Sequence, residues 1–205
     1  YFALGSPGTE QNRVKNSAPL NLASWPALNF ADRSGTPDIG LNIAQVHGQL
    51  WILASKNFEV WHNAGRSPFP LERIDGSTGN IGVLAQYSVA KIGDTIMWLG
   101  ASERGFGQVY GTEGLQAIRV SPPAIEDLIA SYKIGTAGIT QITALTYEEE
   151  GHLFYMLTFP ASVGNPNGSA LVYDLTTNMW HERYHLKADG VTQERPLWHC
   201  VASIA

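Results

Sequence analysis

A short pattern recurs along the 205-residue chain. In each copy a turn containing glycine precedes an apolar strand with a large aromatic residue, and a polar connection leads to a second aromatic strand. The turn glycines are Gly48, Gly93 and Gly151. Their spacing of roughly 45 to 60 residues is close to the length of one blade of a β-propeller. The repeat therefore constrains the fold more than any other feature of the sequence.

Each copy can be divided into four short strands, as in a propeller blade. We predict the first strands at Leu41–Val46, Ala85–Ile92 and Ile142–Tyr147. The second strands carry Trp51, Trp98 and Tyr155 at positions predicted to be equivalent. The third strands carry Trp61, Tyr110 and Tyr173, again at equivalent positions. The fourth strands are predicted at Phe69–Ile74, Leu115–Val120 and Met179–Tyr184.

The predicted fold class is therefore all-β, with a β-propeller of about three complete blades and a β-sandwich as the alternative. The approximate blades are 41–74, 85–120 and 142–184. Residues 1–30 are predicted to supply part of a unit, with strands at Tyr1–Leu4, Asn12–Asn16 and Trp25–Phe30. Residues 197–204, with the strand Leu197–Ile204, would begin a further unit. We expect residues 1–205 to form one domain, a fragment of a larger propeller, and a small closed four-bladed ring is the alternative.

One segment departs from the strand pattern. Residues 122–132 carry proline near the start and apolar residues at 125, 128, 129 and 132. These spacings place the apolar side chains on one face of a helix. We predict a short amphipathic helix there, capped by Ser121 and situated between two blades.

Composition excludes several classes of function. The net charge is −5 and only 15% of residues are charged. No run of basic residues is present, so we predict no sequence-independent or sequence-specific binding of nucleic acid. Apolar runs reach about five residues, far below the roughly 20 needed for a membrane helix. The single Cys200 permits no disulfide within the chain.

The string His181-Glu182-Arg183-Tyr184-His185 matches the zinc-protease pattern H-E-x-x-H. That chemistry requires a helix, which brings the two histidines onto one face. The preceding residues indicate a strand, a hairpin turn and a return strand. In a strand, residues four apart are separated by about 13 Å, too far to share one zinc ion. We therefore predict a strand and no zinc, although His199 and Cys200 are nearby in the sequence.

The remaining chemical candidates are weaker. Gly105–Gly111 misses the dinucleotide-binding spacing and is predicted to be a hairpin turn. The acidic run Glu148–Glu150 is predicted to be a solvated turn. His47, His62 and His152 lie beside turns or on aromatic strands, where no ligand is expected. The sequence therefore predicts no catalytic, cofactor-binding or metal-binding residue, no cofactor and no enzyme activity.

Several segments, in their order along the chain, resemble the packaged-DNA stabilisation proteins of short-tailed phages. They are Trp25–Ala31, Thr36–Ile39, Leu50–Leu53, Glu59–Gly65, Pro68-Phe69, Arg119–Ser121, Ala124–Glu126, Gly151–Tyr155, Leu157–Pro160, Tyr173-Asp174 and Trp180–Arg183. The resemblance covers roughly residues 25 to 183, and the order of the segments is more specific than any one of them.

The resemblance implies a structural tail accessory or head-completion protein containing a β-propeller. Several copies would form a homo-oligomeric ring beneath the portal, help to close the channel, retain the packaged DNA and connect to the tail needle. It would lie in the virion tail after assembly in the host cytoplasm, without contact with a membrane. Two alternatives remain: a propeller interaction module of bacterial origin, and a carbohydrate-active propeller enzyme with paired carboxylates in its channel.

Overall fold

The computed structural model describes residues 1–5, 10–33, 38–102 and 105–195. The predicted terminal strand at 197–204, His199, Cys200, Thr36 and Pro37 lie outside the described residues. The chain divides into two compact units, which are described separately. The first comprises residues 1–83 and 113–117, and the second comprises residues 84–112 and 118–205.

About half of the described residues in each unit are in strands. In the first unit these are β1 (Phe2–Leu4), β2 (Arg13–Asn16), β3 (Phe30–Asp32), β4 (Gly40–Val46), β5 (Gln49–Ala54), β6 (Phe58–Asn63), β7 (Leu71–Gly79) and β8 (Gly82–Val83). The following strands are β9 (Ala90–Ile92), β10 (Thr95–Ser102), β11 (Gly105–Glu113), β12 (Gln116–Arg119), β13 (Thr143–Glu149), β14 (His152–Phe159), β15 (Ser169–Asp174), β16 (Met179–Arg183), β17 (His185–Leu186) and β18 (Gln193–Glu194). The helices are α1 (Pro123–Ser131), α2 (Thr136–Ile139) and a 3₁₀ turn at Gln86–Ser88.

The first unit contains a three-stranded sheet in the order β1-β2-β3 and a four-stranded antiparallel sheet in the order β4-β5-β6-β7. Their apolar side chains form one cluster, in which Val14 and Ile52 are fully buried beside Trp61 and Phe69. The rings of Trp61 and Phe69 meet edge to face, with centroids 5.9 Å apart. This geometry is favourable for aromatic pairs and holds the segment that precedes β7 against β6.

In the second unit, β13 to β16 form a four-stranded antiparallel sheet in sequence order. Residue 155 pairs with residue 146 on one side and residue 173 on the other. A second group of strands consists of β9, β10 and β11, in which β10 pairs antiparallel with both β9 and β11. The chain after β12 joins β11, because the Val120 amide donates to the Val109 carbonyl at 2.8 Å. The all-β class and the repeated four-stranded antiparallel sheets are therefore confirmed.

The core of the second unit lies between its two groups of strands. Met97 and Leu99 on β10 belong to the same buried cluster as Tyr155 and Leu157 on β14. All four are fully buried. Because side chains alternate between the faces of a strand, one face of each sheet supplies this core.

The hairpin turns show which positions of the repeat are equivalent. The second strands β5, β10 and β14 each begin directly after a two-residue turn. Trp98 and Tyr155 are both the fourth residue of their strands, whereas Trp51 is the third. Because one residue of offset moves a side chain to the opposite face, the predicted equivalence of Trp51 is wrong, and Ile52 occupies that position.

The same comparison applies to the third strands. Tyr110 is directly opposite Trp98, and Tyr173 is directly opposite Tyr155. Trp61 is instead opposite Leu50. All three residues are buried. Trp61, however, lies two residues beyond the position that faces Ile52, so it is not equivalent to Tyr110 and Tyr173.

Two of the predicted strands differ in extent from the strands in the structure. Within Ala85–Ile92 only Ala90–Ile92 is a strand, because Ser88 donates its hydroxyl to the Ala85 carbonyl at 2.6 Å and closes a 3₁₀ turn. The strand predicted at Trp25–Phe30 begins only at Phe30. There the Asn29 amide bonds back to the Pro26 carbonyl at 3.1 Å and makes a turn.

The helix predicted at 122–132 is present as α1, but its cap differs from the expectation. Pro122 is the N-cap and makes no capping bond through its side chain. Ser121 instead donates to Glu126 at 2.6 Å and accepts from the Val109 amide at 2.9 Å. The serine therefore joins the helix to β11 rather than capping the helix. The short helix α2 has no counterpart in the sequence prediction.

Residues 181–185 are extended, as predicted, but they do not form one strand. His181 lies on β16 opposite Val172, and β16 ends at Arg183. His185 begins β17, where it pairs with Glu194. The two histidines thus belong to different sheets, and the helical spacing that H-E-x-x-H chemistry requires is absent from this segment.

Candidate interaction site

The connection between β2 and β3 exposes an unusual amount of apolar surface. We call residues 17–29 the apolar loop. Leu20 is fully exposed, Leu28 is 74% exposed, Leu22 is 54% exposed and Trp25 is 41% exposed. None of the thirteen residues from Ser17 to Asn29 is charged. Contiguous exposed apolar residues on a soluble protein commonly mark an interaction site.

Internal hydrogen bonds hold this loop in shape. The Ala18 amide donates to the Ser24 carbonyl at 2.8 Å, and the Trp25 indole donates to the Leu22 carbonyl at 2.9 Å. The Asn21 side chain accepts from the Ala23 amide at 3.1 Å. The backbone of the loop is held by its own hydrogen bonds, and the leucine side chains are exposed. Little conformational entropy of the loop would therefore be lost on binding.

A concave apolar pocket lies in the second unit, beside α1 and α2. Its volume is about 240 Å³. Its lining, which we call the isoleucine pocket, consists of Leu84, Leu99, Gly107, Ile129, Ala130, Lys133, Ile134, Ile139 and Ile142. Pockets for drug-sized ligands usually occupy about 300 to 1,000 Å³, so this one is better matched to an aliphatic side chain.

Gly107 shapes one wall of this pocket. Its φ is +78°, and it follows a register shift at Gly100 and Ala101 in the pairing of β10 with β11. A Cβ at this position would lie 2.9 Å from the Ile129 side chain. Only glycine fits at this position, because β11 approaches α1 closely. The prediction of a hairpin turn at Gly105–Gly111 is wrong, since the segment is part of β11.

The turn between β15 and β16 contains the best-organised ionisable pair. The Asp174 carboxylate lies 2.7 Å from His152 Nδ1 and accepts from the Thr176 amide at 2.8 Å. It also accepts from the Thr177 hydroxyl at 2.7 Å. Burial raises the pKa of Asp174, but these hydrogen bonds outweigh it and hold the pKa well below its ordinary value. Thr176 and Thr177 belong to the hairpin turn itself, and His152 lies at the start of the adjacent strand β14, which indicates that Asp174 has a structural role.

The other residues selected from the sequence are dispersed. Glu148, Glu149 and Glu150 are exposed, as predicted, but Glu148 and Glu149 end β13 and only Glu150 lies in the turn before β14. His47 lies at an exposed turn with φ of +50°, and His62 is exposed on β6. Among the described residues, no three acidic, histidine or cysteine side chains are grouped closely enough to bind a metal ion.

Glu182 lines a second, polar pocket of about 180 Å³ in the second unit. Glu194, Asn165 and Ser169 also contribute to it. The residue pair His185 and Glu194 lies at its side, with Nε2 3.3 Å from the carboxylate. The pocket therefore brings together Glu182 of the H-E-x-x-H string and the ion-paired Glu194, but not His181.

Sequence reasoning missed both the apolar loop and the isoleucine pocket. It assigned Trp25 to a strand, and it predicted no pocket beside the helix at 122–132. Two signals were available in the loop, namely Pro19 and Pro26 within a run without charge. The pocket had no local signal, because its lining comes from segments far apart in the sequence.

Within the part of the chain that the structure describes, no helix has the length and apolar character of a membrane span. A comparison with curated proteins finds no match. A family model described as bacteriophage P22 Gp10, beta-propeller, matches residues 16–198, which is most of the chain. The repeated four-stranded sheets agree with a propeller family. The chain therefore belongs to this family of phage stabilisation proteins.

Proposed function

We propose that this protein is a structural component of the virion tail. In this role it helps to close the portal channel, retains the packaged DNA and connects to the tail needle. The observation that carries the proposal is the family match over residues 16–198. We place the protein in the virion after assembly in the host cytoplasm, with the adaptor ring of the portal and the needle as its partners.

We also propose that residues 41–74, 85–120 and 142–184 are successive blades of a propeller. The second strands of all three segments begin after two-residue turns, and each continues into a run of consecutive buried residues. Residues 1–30 would belong to a partial unit. The three-stranded sheet β1-β2-β3 supports the assignment of residues 1–30.

Electrostatics supports a role in which DNA slides past the protein. Affinity for DNA depends mainly on basic side chains that neutralise phosphates. This chain has 13 Lys and Arg residues against 18 Asp and Glu residues. A component with net negative charge can line or close a channel without holding the duplex, so retention would come from blocking the exit.

The proposal can be tested with packaged heads that lack the corresponding family protein. Purified protein is added, and the fraction of genome that resists nuclease is measured over time. We expect this fraction to rise only when the added protein is folded, with an unrelated propeller protein as the control. Equal loss of DNA with and without the protein would overturn the proposal. Native mass spectrometry with portal and adaptor proteins would report the number of copies bound.

A further inference from the structure

We propose that the apolar loop of one copy inserts into the isoleucine pocket of a second copy. This inference rests on the proposed function in assigning the protein to an assembly of several copies. It adds the contact surface and identifies the partner as another copy of the same chain. The two surfaces lie in different units of the fold, and one is an exposed loop whereas the other is a concave pocket.

The chemistry of the two surfaces is matched. Leu20 and Leu28 are the most exposed apolar residues of the loop, at 109% and 74%. The pocket has mainly isoleucine and leucine side chains, and Lys133 is its single charged residue. Burying an unpaired charge costs a large amount of free energy. Because the loop has no charged group, its insertion into the pocket would not incur this cost.

The size of the pocket favours a side chain over a small-molecule ligand. A volume of about 240 Å³ is below the usual range for a drug-sized ligand and holds one or two aliphatic side chains. Full burial of a leucine stabilises an interface enough to change affinity about 10- to 100-fold. Leu20 is the most exposed apolar residue of the loop and is therefore the residue expected to enter the pocket.

A contact between two different surfaces has a geometric consequence. Each copy would present one loop and one pocket, so every copy could bind two neighbours. Such heterologous contacts generate closed rings when the rotation between copies closes, and open filaments when it does not. The proposed contact therefore predicts an assembly larger than a dimer, without a two-fold axis between neighbours.

Cross-linking between two single-cysteine chains tests the contact directly. Both chains carry Cys200→Ser; one adds Leu20→Cys and the other adds Lys133→Cys. Mixed together with a short bismaleimide, they should form a covalent dimer, whereas neither chain alone should form the Leu20 to Lys133 link. A control mixture replaces Leu20→Cys with Val163→Cys, which is 89% exposed and outside the pocket. Equal cross-linking in the control would overturn the inference.

A second measurement uses variants and the mass of the assembly. Leu20→Asp on the loop and Ala130→Trp, which fills the pocket from an exposed position on α1, should each raise the dissociation constant at least about tenfold. Val163→Asp should leave it unchanged. Circular dichroism and the thermal midpoint verify that each variant is folded. An unchanged mass for both folded variants would contradict the inference.

The two proposals can fail separately. If the protein restores genome retention but the loop and pocket variants assemble normally, only the proposed contact is wrong. If the variants dissociate as expected but the protein has no effect on heads, the contact stands and the proposed function fails.

Discussion

The hydroxyl of Tyr155 donates a hydrogen bond to the backbone carbonyl of Ser88, 2.7 Å away and 67 residues earlier in the chain. Both residues are completely buried. Burial is the larger influence on Tyr155 and raises the pKa of its phenol far above the ordinary value, while the bond to Ser88 acts in the opposite direction. The bond connects β14 to the 3₁₀ turn before β9 and so joins two sheets of the second unit.

Removing that hydroxyl should destabilise the second unit. Tyr155→Phe keeps the ring but leaves the Ser88 carbonyl without its donor, so we expect a loss of about 1 to 3 kcal/mol in the free energy of unfolding. Urea titration measures the change. Tyr87→Phe, at an exposed position within the same 3₁₀ turn, is the control. A loss below about 0.5 kcal/mol for Tyr155→Phe would contradict the expected role of this bond.

Trp98 is expected to be among the most costly residues to truncate. It is fully buried on β10 and stacks against Tyr110, with ring centroids 6.1 Å apart. Trp98→Ala should cost about 3 to 5 kcal/mol, because a cavity remains in the core. Tyr87→Ala, at a position that is 59% exposed, should cost far less. An unchanged unfolding midpoint for Trp98→Ala would show that the core assignment is wrong.

Gly164 allows the loop between β14 and β15 to lie against the end of α1. Its amide donates to the Tyr132 carbonyl at 3.2 Å, and a Cβ there would be only 1.9 Å from the Ser131 carbonyl oxygen. Gly164→Ala should therefore lower the thermal midpoint by several degrees, consistent with a loss of about 1 to 3 kcal/mol. Gly135→Ala is the matched control, since a Cβ there meets nothing within 4 Å. Equal midpoints would refute the steric argument.

Asp174 makes stability depend on pH in the acid range. Its pKa is lower in the folded protein than in the unfolded chain, so the folded state favours the ionised carboxylate. The resulting stabilisation is complete above the unfolded value of about 3.9 and is lost as the pH falls below it. Asp174→Asn should therefore reduce the slope of stability against pH between about pH 4 and pH 2. The exposed Asp94→Asn serves as control, and identical slopes for wild type and Asp174→Asn would exclude this role.

Metal analysis tests the interpretation of residues 181–185. His181 and His185 lie on separate strands, β16 and β17, so we expect no stoichiometric zinc in the purified protein. The same measurement on His181→Ala provides the comparison. A chelator-sensitive zinc ion that is lost in this variant would contradict the strand interpretation of the motif.

The repeat in the sequence was sufficient to predict the second and third strands of each copy and their order. Turn glycines and alternating apolar residues are local signals, and Gly48, Gly93 and Gly151 each lie in the expected hairpin turn. These signals did not predict which face of its sheet Trp51 occupies. Aligning the aromatic residues of the three copies placed Trp51 one residue away from its true position relative to the turn. Register depends on the pairing of strands, which the turn positions determine only when the strand ends are known.

The interaction surfaces were less predictable than the sheets. The end of the apolar loop was predicted as part of the strand Trp25–Phe30 because aromatic residues favour strands, whereas the backbone of the loop bonds to itself. The isoleucine pocket brings together β10, β11, α1 and α2, and the close approach at Gly107 depends on one bulge. Single-sequence patterns report neighbours along the chain and contain little information about such junctions.

The sheet β13 to β16 is built entirely from hairpins between consecutive strands. Every pairing in it joins segments that emerge from the ribosome one after another. Such a local arrangement gives a low contact order and favours rapid folding during synthesis. The sheet can therefore form before the rest of the assembly is available. The Ser88 turn is synthesised earlier than Tyr155, so the hydrogen bond between them can form when the two sheets dock.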